Sequence, residues 1–138
     1  MDYAVKFLRK SAEPNLIALI RKSIPCYHFS GFNPLFLGKY DFIEIFDKDE
    51  LIAGITYCIT EKTAIINDVI VKDGYRNKGI GSYLVKLVED ECREKKIKTI
   101  TTSNANAQGS KLAKKNSFET KKGAYFFKNV QLKPDKGN

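Results

Sequence analysis

Ile65-Ile66-Asn67-Asp68-Val69-Ile70-Val71, then Lys72-Asp73-Gly74-Tyr75-Arg76-Asn77-Lys78-Gly79-Ile80-Gly81, then Ser82-Tyr83-Leu84-Val85-Lys86-Leu87-Val88 is the stretch that decides the fold. The first part is a β-branched apolar run, which reads as a strand. The second is a polar, glycine-bearing loop. The third sets apolar residues at Ile80, Leu84, Leu87 and Val88, an i, i+4, i+7, i+8 spacing that predicts an amphipathic helix from about Gly81 to Lys95. Backbone N–H groups at a helix start lack intrahelical acceptors and carry the positive end of the dipole. Glycines let that backbone approach a phosphate, so the order strand, glycine loop, helix implies a pyrophosphate-bearing ligand.

Two well-known phosphate loops can be tested against these residues. A nucleotide-hydrolysing loop needs Lys-Ser/Thr after its last glycine, for the terminal phosphates and magnesium. Gly74 to Gly79 has the glycine spacing, but Ile80-Gly81 stands in that place. The dinucleotide fingerprint needs a third glycine, and Gly79-Ile80-Gly81-Ser82-Tyr83-Leu84 ends in Leu. What remains is Arg76-Asn77-Lys78-Gly79-Ile80-Gly81. This resembles the Q/R-x-x-G-x-G/A loop of the GNAT superfamily of acetyl-CoA-dependent N-acetyltransferases. The resemblance implies that the loop binds the coenzyme A pyrophosphate and that the preceding strand lines its pantetheine and acetyl group.

The 138 residues suffice for one domain with a real core. No apolar run has membrane-spanning length, and Met1 to Phe7 lacks the basic-then-apolar order of a signal peptide. Cys26, Cys58 and Cys92 are odd in number and far apart, which argues against a disulfide scaffold or a metal site and for a reducing cytoplasm. The net charge of +8 raises a nucleic-acid-binding reading. The lysines are spread along the chain, however, with Lys95-Lys96, Lys114-Lys115 and Lys121-Lys122 as the densest groups. A solvated lysine surface accounts for them, and part of the charge could attract coenzyme A phosphates.

In chain order, Tyr3 to Arg9 alternates as a strand, and Glu13-Pro14 opens a helix that Ser23-Ile24-Pro25 ends. Residues 26 to 40 are rich in rings (Tyr27, Phe29, Phe32, Phe36, Tyr40) and include His28, the only histidine. Phe42 to Phe46, Leu51 to Thr60 and Thr63 to Val71 read as an antiparallel meander, with Gly54 marking a bulge or close approach. Beyond the helix, Ile97 to Ser103 is a strand that can lie parallel to the one before it. A helix from about Ala107 to Lys115, a turn at Gly123 and a last strand from Ala124 to Val130 follow. Residues 1–131 form the expected domain, and 132–138 a loose tail.

A second motif strengthens the resemblance. Asn106-Ala107-Gln108-Gly109-Ser110-Lys111-Leu112-Ala113-Lys114-Lys115-Asn116-Ser117-Phe118 fits the spacing of the family's N-x-x-A-x-x-L-Y-x-x-x-G-F, with Asn106, Leu112 and Phe118 matching. Gly109, Ala113 and Ser117 depart from it. The implied fold is α/β (α+β), with a mixed, mostly antiparallel sheet and flanking helices. The implied cofactor-binding residues are Val69, Ile70, Val71, Arg76, Asn77, Lys78, Gly79, Ile80, Gly81, Ser82 and Asn106.

Acetyl transfer to an amine needs a neutral nitrogen, so a base must help at neutral pH. Asp68 is the candidate, since burial beside an apolar run would raise its pKa; Glu44 and His28 are alternatives. In many relatives a Tyr at the position of Ala113 protonates the departing thiolate. Tyr125 is the replacement candidate. Cys58 and Cys92 fall away from the loop, which implies direct transfer. The resemblance thus implies acetyl transfer from acetyl-CoA to an amine of a small molecule, peptide or protein. A homodimer is also carried, because dimers are common among such proteins. The reading from another class is a GNAT-like domain that binds acyl-CoA as a sensor without turnover.

Overall fold

The structure is a computed structural model that describes residues 3–10, 39–102, 107–121 and 125–130, without the side chains of 107–110, 120, 121 and 125–127. Seven strands form one sheet: β1 (Ala4–Leu8), β2 (Asp41–Asp47), β3 (Glu50–Ile59), β4 (Thr63–Val71), β5 (Thr99–Thr102), β6 (Glu119–Lys121) and β7 (Tyr125–Asn129), in the order β1-β2-β3-β4-β5-β7-β6. Among the described residues two helices interrupt them, α1 (Ile80–Glu94) and α2 (Ala107–Lys115). The expected helix after Glu13, the aromatic stretch up to residue 38 and the tail lie outside the described residues.

β1 to β4 are antiparallel, and β4 pairs with β5 in parallel, so the expected meander and its crossover through α1 are present. The short β6, where the sequence suggests no strand, pairs antiparallel with β7 through Glu119↔Phe127.

Of the two readings of Gly54, a bulge or a close approach, the register excludes the bulge. Gly54 pairs regularly with Glu44 and Ile70. The extra residues are Ile52, between the Ala53↔Ile45 and Leu51↔Phe46 pairs, and Asn67, between Thr56↔Asp68 and Tyr57↔Ile66. A bulge needs an extra residue in the register, and glycine is only one residue that tolerates it.

The Asn67 bulge has a consequence for the two faces of the sheet. Residues three apart on a regular strand point to opposite faces. Across the bulge, Ile66 and Val69 instead share the helix-side core with Ile43, Ile55, Leu84, Val88 and Ile100. Asp68 is thereby placed on the other face, in line with Phe42 and Thr56. That face carries a smaller apolar cluster of Tyr40, Phe42 and Ile70, bordered by Leu8, Leu51 and Cys58.

α1 buries Ile80, Leu84 and Val88 of the predicted stripe, together with Val85 and Cys92, while Leu87 packs half-buried against the same core. Burying such side chains contributes about 1.5–3 kcal/mol each. The acids in its second half are used in tertiary contacts. Glu91, buried, accepts hydrogen bonds from the Tyr57 hydroxyl at 2.7 Å and from Arg9, and pairs with Lys95 at 3.0 Å. Burial works against the Glu91 carboxylate, but these three donors outweigh it and hold its pKa below the ordinary value. Glu89 meets Arg93 and Lys128, each at 2.7 Å.

Both helices end with a residue in the left-handed region. Lys96 (φ 58°) follows α1, and Ser117 (φ 68°) follows α2. In each case the next N–H reaches back to the helix, Ile97 to the Cys92 carbonyl at 2.8 Å and Phe118 to that of Ala113 at 2.9 Å. This closing motif normally takes glycine at the left-handed position. It explains why the family pattern carries Gly where this chain has Ser117.

Candidate active site

β4 and β5 stay paired only from Thr63↔Thr99 to Ile66↔Thr102. β4 then runs five residues further, and from Asn67 to Val71 its one strand partner among the described residues is β3. The parallel strands therefore part at the bulge. Among the described residues, no strand pairs with the β5-facing edge of that segment.

At the C-terminal end of β4 the loop turns into α1. Three residues of it are left-handed: Gly74 (φ 90°), Asn77 (φ 61°) and Gly79 (φ 81°). Gly79 is the N-cap, and no side chain caps the helix. The first N–H groups of α1, from Ile80 to Ser82, therefore have no capping side chain among the described residues. A Cβ added at Gly79 would meet nothing within 4 Å, whereas one at Gly81 would lie 3.3 Å from Leu112 Cδ1. The two glycines do different work. Gly79 supplies the turn, and Gly81 lets α2 come close to α1.

A cleft of about 420 Å³ opens beside this turn, lined by Val71, Tyr75, Arg76, Asn77, Gly79 to Ser82, Lys111, Leu112 and Lys115. Of the residues singled out from the sequence, Val71, Arg76, Asn77, Gly79, Ile80, Gly81 and Ser82 come together here. Val69 lies just beneath, 3.9 Å from the Cβ position of Gly81. Ile70 does not join them, because it points into the Tyr40 and Phe42 cluster on the opposite face. Lys78 stands outside the cleft lining, with its ammonium 5.7 Å above the Tyr75 ring. Asn106 lies outside the described residues.

Arg76 holds the loop in shape. Its Nε donates to the Val71 carbonyl at 3.0 Å, and Nη1 pairs with Asp73 at 3.0 Å. Tyr75 is fixed by its hydroxyl, which donates to Asp47 at 2.7 Å. That bond, first, and burial push its pKa up to about 12, so it stays a neutral phenol. Asn116 ties the helices together, donating from Nδ2 to Ser82 Oγ at 3.1 Å and to the Leu112 carbonyl at 2.9 Å.

Lys111, Leu112, Lys115 and Tyr75 were not singled out as ligand-facing by the sequence reading. The signal was present for the lysines: Lys111 and Lys115 are four apart on a helix and so share a face.

Asp68 sits three residues back from Val71, roughly 10 Å along the strand. It is 1% exposed, and its Oδ2 accepts a hydrogen bond from Thr56 Oγ1 at 3.0 Å. Its Oδ1 is buried without a hydrogen-bond partner among the described residues. Burial pushes the carboxyl up to about 7, opposed by the bond from Thr56. A group with that pKa takes up and releases a proton near neutrality.

The alternatives are placed differently. Glu44 is fully buried on β2, and Cys92 is buried in the helix-side core, its thiol pushed up to about 12 by burial and by Glu91. Cys58 is half-buried, and burial raises its pKa too. Neither thiol lines the cleft. Ala113 is buried in the helix-side core, so no hydroxyl stands there. Tyr125 begins β7, at the end of the sheet where β4 and β5 part. His28 lies outside the described residues. No helix among the described residues is long and apolar enough to cross a membrane, and no group of their His, Cys, Asp and Glu side chains could hold a metal ion.

A mixed sheet that opens between two parallel strands, with a helix N-terminus at the opening, defines a class of α/β fold. The chain belongs to the acetyltransferase (GNAT) family, whose profile matches residues 6–118. Acyl transfer is the general activity of that family. No curated protein matches the sequence.

Solved structures with the same fold are numerous. A protein from Desulfovibrio desulfuricans assigned to the GNAT family superposes with a TM-score of 0.71 at 17% identity, over 93% of this chain and 100% of its own. The ribosomal-protein-S18-alanine N-acetyltransferase from Escherichia coli gives 0.70 at 13% identity, over 97% of each chain. N-acetylglutamate synthase from Neisseria gonorrhoeae, solved with coenzyme A and N-acetyl-glutamate, gives 0.74 at 12% identity, over 95% of this chain and 36% of its own. At these identities the likeness is one of fold.

Proposed function

We propose that this protein is an N-acetyltransferase that moves the acetyl group of acetyl-CoA directly to a primary amine of a small molecule, peptide or protein. The observation that carries the reading is the parting of β4 from β5 at Asn67, between a cleft at the start of α1 and a buried Asp68 carboxyl. The cleft fits a coenzyme A phosphate end. It has a helix start without a capping side chain among the described residues, the left-handed Gly79 and cationic walls. The pantetheine arm then follows the unpaired edge of β4 from Val71 back toward Asp68. Val69 and Ile70 serve through their backbone, since their side chains are core.

When bound, acetyl-CoA supplies a thioester whose C–S bond breaks as the new C–N bond forms. Asp68 takes the proton that the acceptor ammonium must lose before its lone pair can attack. A backbone N–H on the free edge of β4 donates to the acetyl carbonyl. Tyr125 is the candidate to return a proton to the departing sulfur.

One observation favours a second reading, a domain that binds acyl-CoA without turnover. It is the absence of a hydroxyl at Ala113. A thiol-release assay with acetyl-CoA across amino acids, polyamines, aminoglycosides and lysine peptides separates the two. The transferase reading expects amine-dependent release of one thiol per amide formed. Coenzyme A binding without release for any amine supports the sensor. Neither binding nor release would overturn both.

A further inference from the structure

The wall that α2 adds to the cleft carries more positive charge than a pyrophosphate needs. Lys111 and Lys115 line it on either side of Leu112, whose Cδ1 lies 3.3 Å from the Cβ position of Gly81. Both lysines are exposed, and among the described residues neither forms an ion pair. Other lysines of the chain are neutralised: Lys72 by Glu50, Lys95 by Glu91 and Lys128 by Glu89. Arg76 is already engaged by Asp73 and the Val71 carbonyl. Among the described residues, the two α2 ammoniums are therefore the lysine charges of the cleft wall without an ion-pair partner.

A pyrophosphate bridge carries about one charge per phosphorus, and the N–H groups at the start of α1 suit it. A terminal phosphomonoester carries about −1.5 to −2 at pH 7. Two lysines one helical turn apart match that group better than they match a second donor set for the bridge. Resting on the coenzyme A reading above, we infer that Lys111 and Lys115 bind the 3′-phosphate of coenzyme A and make the protein selective for donors that carry it. Acyl groups held on a phosphopantetheine arm without the 3′-phosphoadenosine, as on a carrier protein, lack this contact.

The test is calorimetric titration of the full chain with coenzyme A and with 3′-dephospho-coenzyme A at low salt. It uses the native protein and the K111Q/K115Q variant, which keeps most of each side-chain stem. Native protein should bind coenzyme A about tenfold more tightly than the dephospho form, a preference that shrinks as salt is raised. The variant should bind the two alike, at the native affinity for the dephospho form. Equal affinities in the native protein would overturn the inference. So would a variant that loses both ligands in the same proportion, because the lysines would then serve the pyrophosphate. If native protein binds neither ligand, the coenzyme A reading fails and this inference fails with it.

Discussion

Replacing Asp68 by Asn tests whether the face of the sheet that carries this residue stores a proton. The carboxyl is 1% exposed, and its pKa rises from the ordinary 3.8 to about 7. The folded chain thus holds a proton that the unfolded chain releases near pH 4. Stability from this group is fully present below about pH 4 and is lost as the pH rises, with the loss complete just above 7. At about 1.36 kcal/mol per pKa unit, the loss amounts to about 4 kcal/mol. Asn has the same shape and no charge, so the D68N variant lacks this loss. It also replaces a carboxyl O–H by an amide with one more N–H to satisfy in a buried site, which costs about 1–3 kcal/mol at every pH. Urea unfolding from pH 4 to 8 should show D68N less stable than native at pH 4 and more stable at pH 8, with the curves crossing between about pH 4.5 and 6. Catalysis should move the other way. The native kcat/KM should climb with pH to a plateau just above 7, and D68N should lose about 10²–10⁴ in rate along with that limb. Parallel stability curves would refute the buried proton. An unchanged rate and pH profile would refute Asp68 as the base.

Three other changes probe the frame around the site. Gly79→Ala meets no atom within 4 Å, so its cost is the left-handed backbone alone, about 1–2 kcal/mol, and thermal melting should fall accordingly. An unchanged melting temperature would mean that the turn can relax. Tyr57→Phe removes a 2.7 Å donor to the buried Glu91 and should cost about 1–3 kcal/mol in denaturant unfolding, most visibly near neutral pH where Glu91 is ionised. Ser117→Gly should stabilise by about 1 kcal/mol, because glycine suits the φ of 68° that follows α2. A lower melting temperature for this variant would contradict the assignment of that helix end.

Local patterns made much of the fold legible. The spacing Ile80, Leu84, Val88 marks α1 because burial and helical period coincide there. The β-branched runs mark β2 to β5 for the same reason. The loop from Arg76 to Gly81 was legible because a sharp turn at a helix start has few chemical solutions. Features that depend on distant partners were not. Glu91 reads as a poorly placed acid at a helix end until Tyr57 and Arg9 arrive from 34 and 82 residues away. The bulge was sought at Gly54 because glycine is the local signal, yet register is a property of two strands. Lys78 and Lys115 look alike in the sequence. Only the approach of α2 to α1 separates the one over a ring from the one in the cleft.

The single extra residue at Asn67 links three properties of the site. It resets the alternation of β4, so Val69 and Val71 face the helices while Asp68 faces away. It falls at the last pair with β5, Ile66↔Thr102, beyond which the edge of β4 has no strand partner among the described residues. It also keeps the apolar side chains around it in register with two different cores. A regular strand with the same residues could not do this. With its parity fixed by Ile66, it would turn the Asp68 carboxylate into the packed helix-side core and bring Val69 out of it. The position of the proposed base and the opening for the donor therefore depend on the same backbone irregularity. An apolar run interrupted by Asn-Asp records it in the sequence, but its meaning appears only when the facing strand is in place.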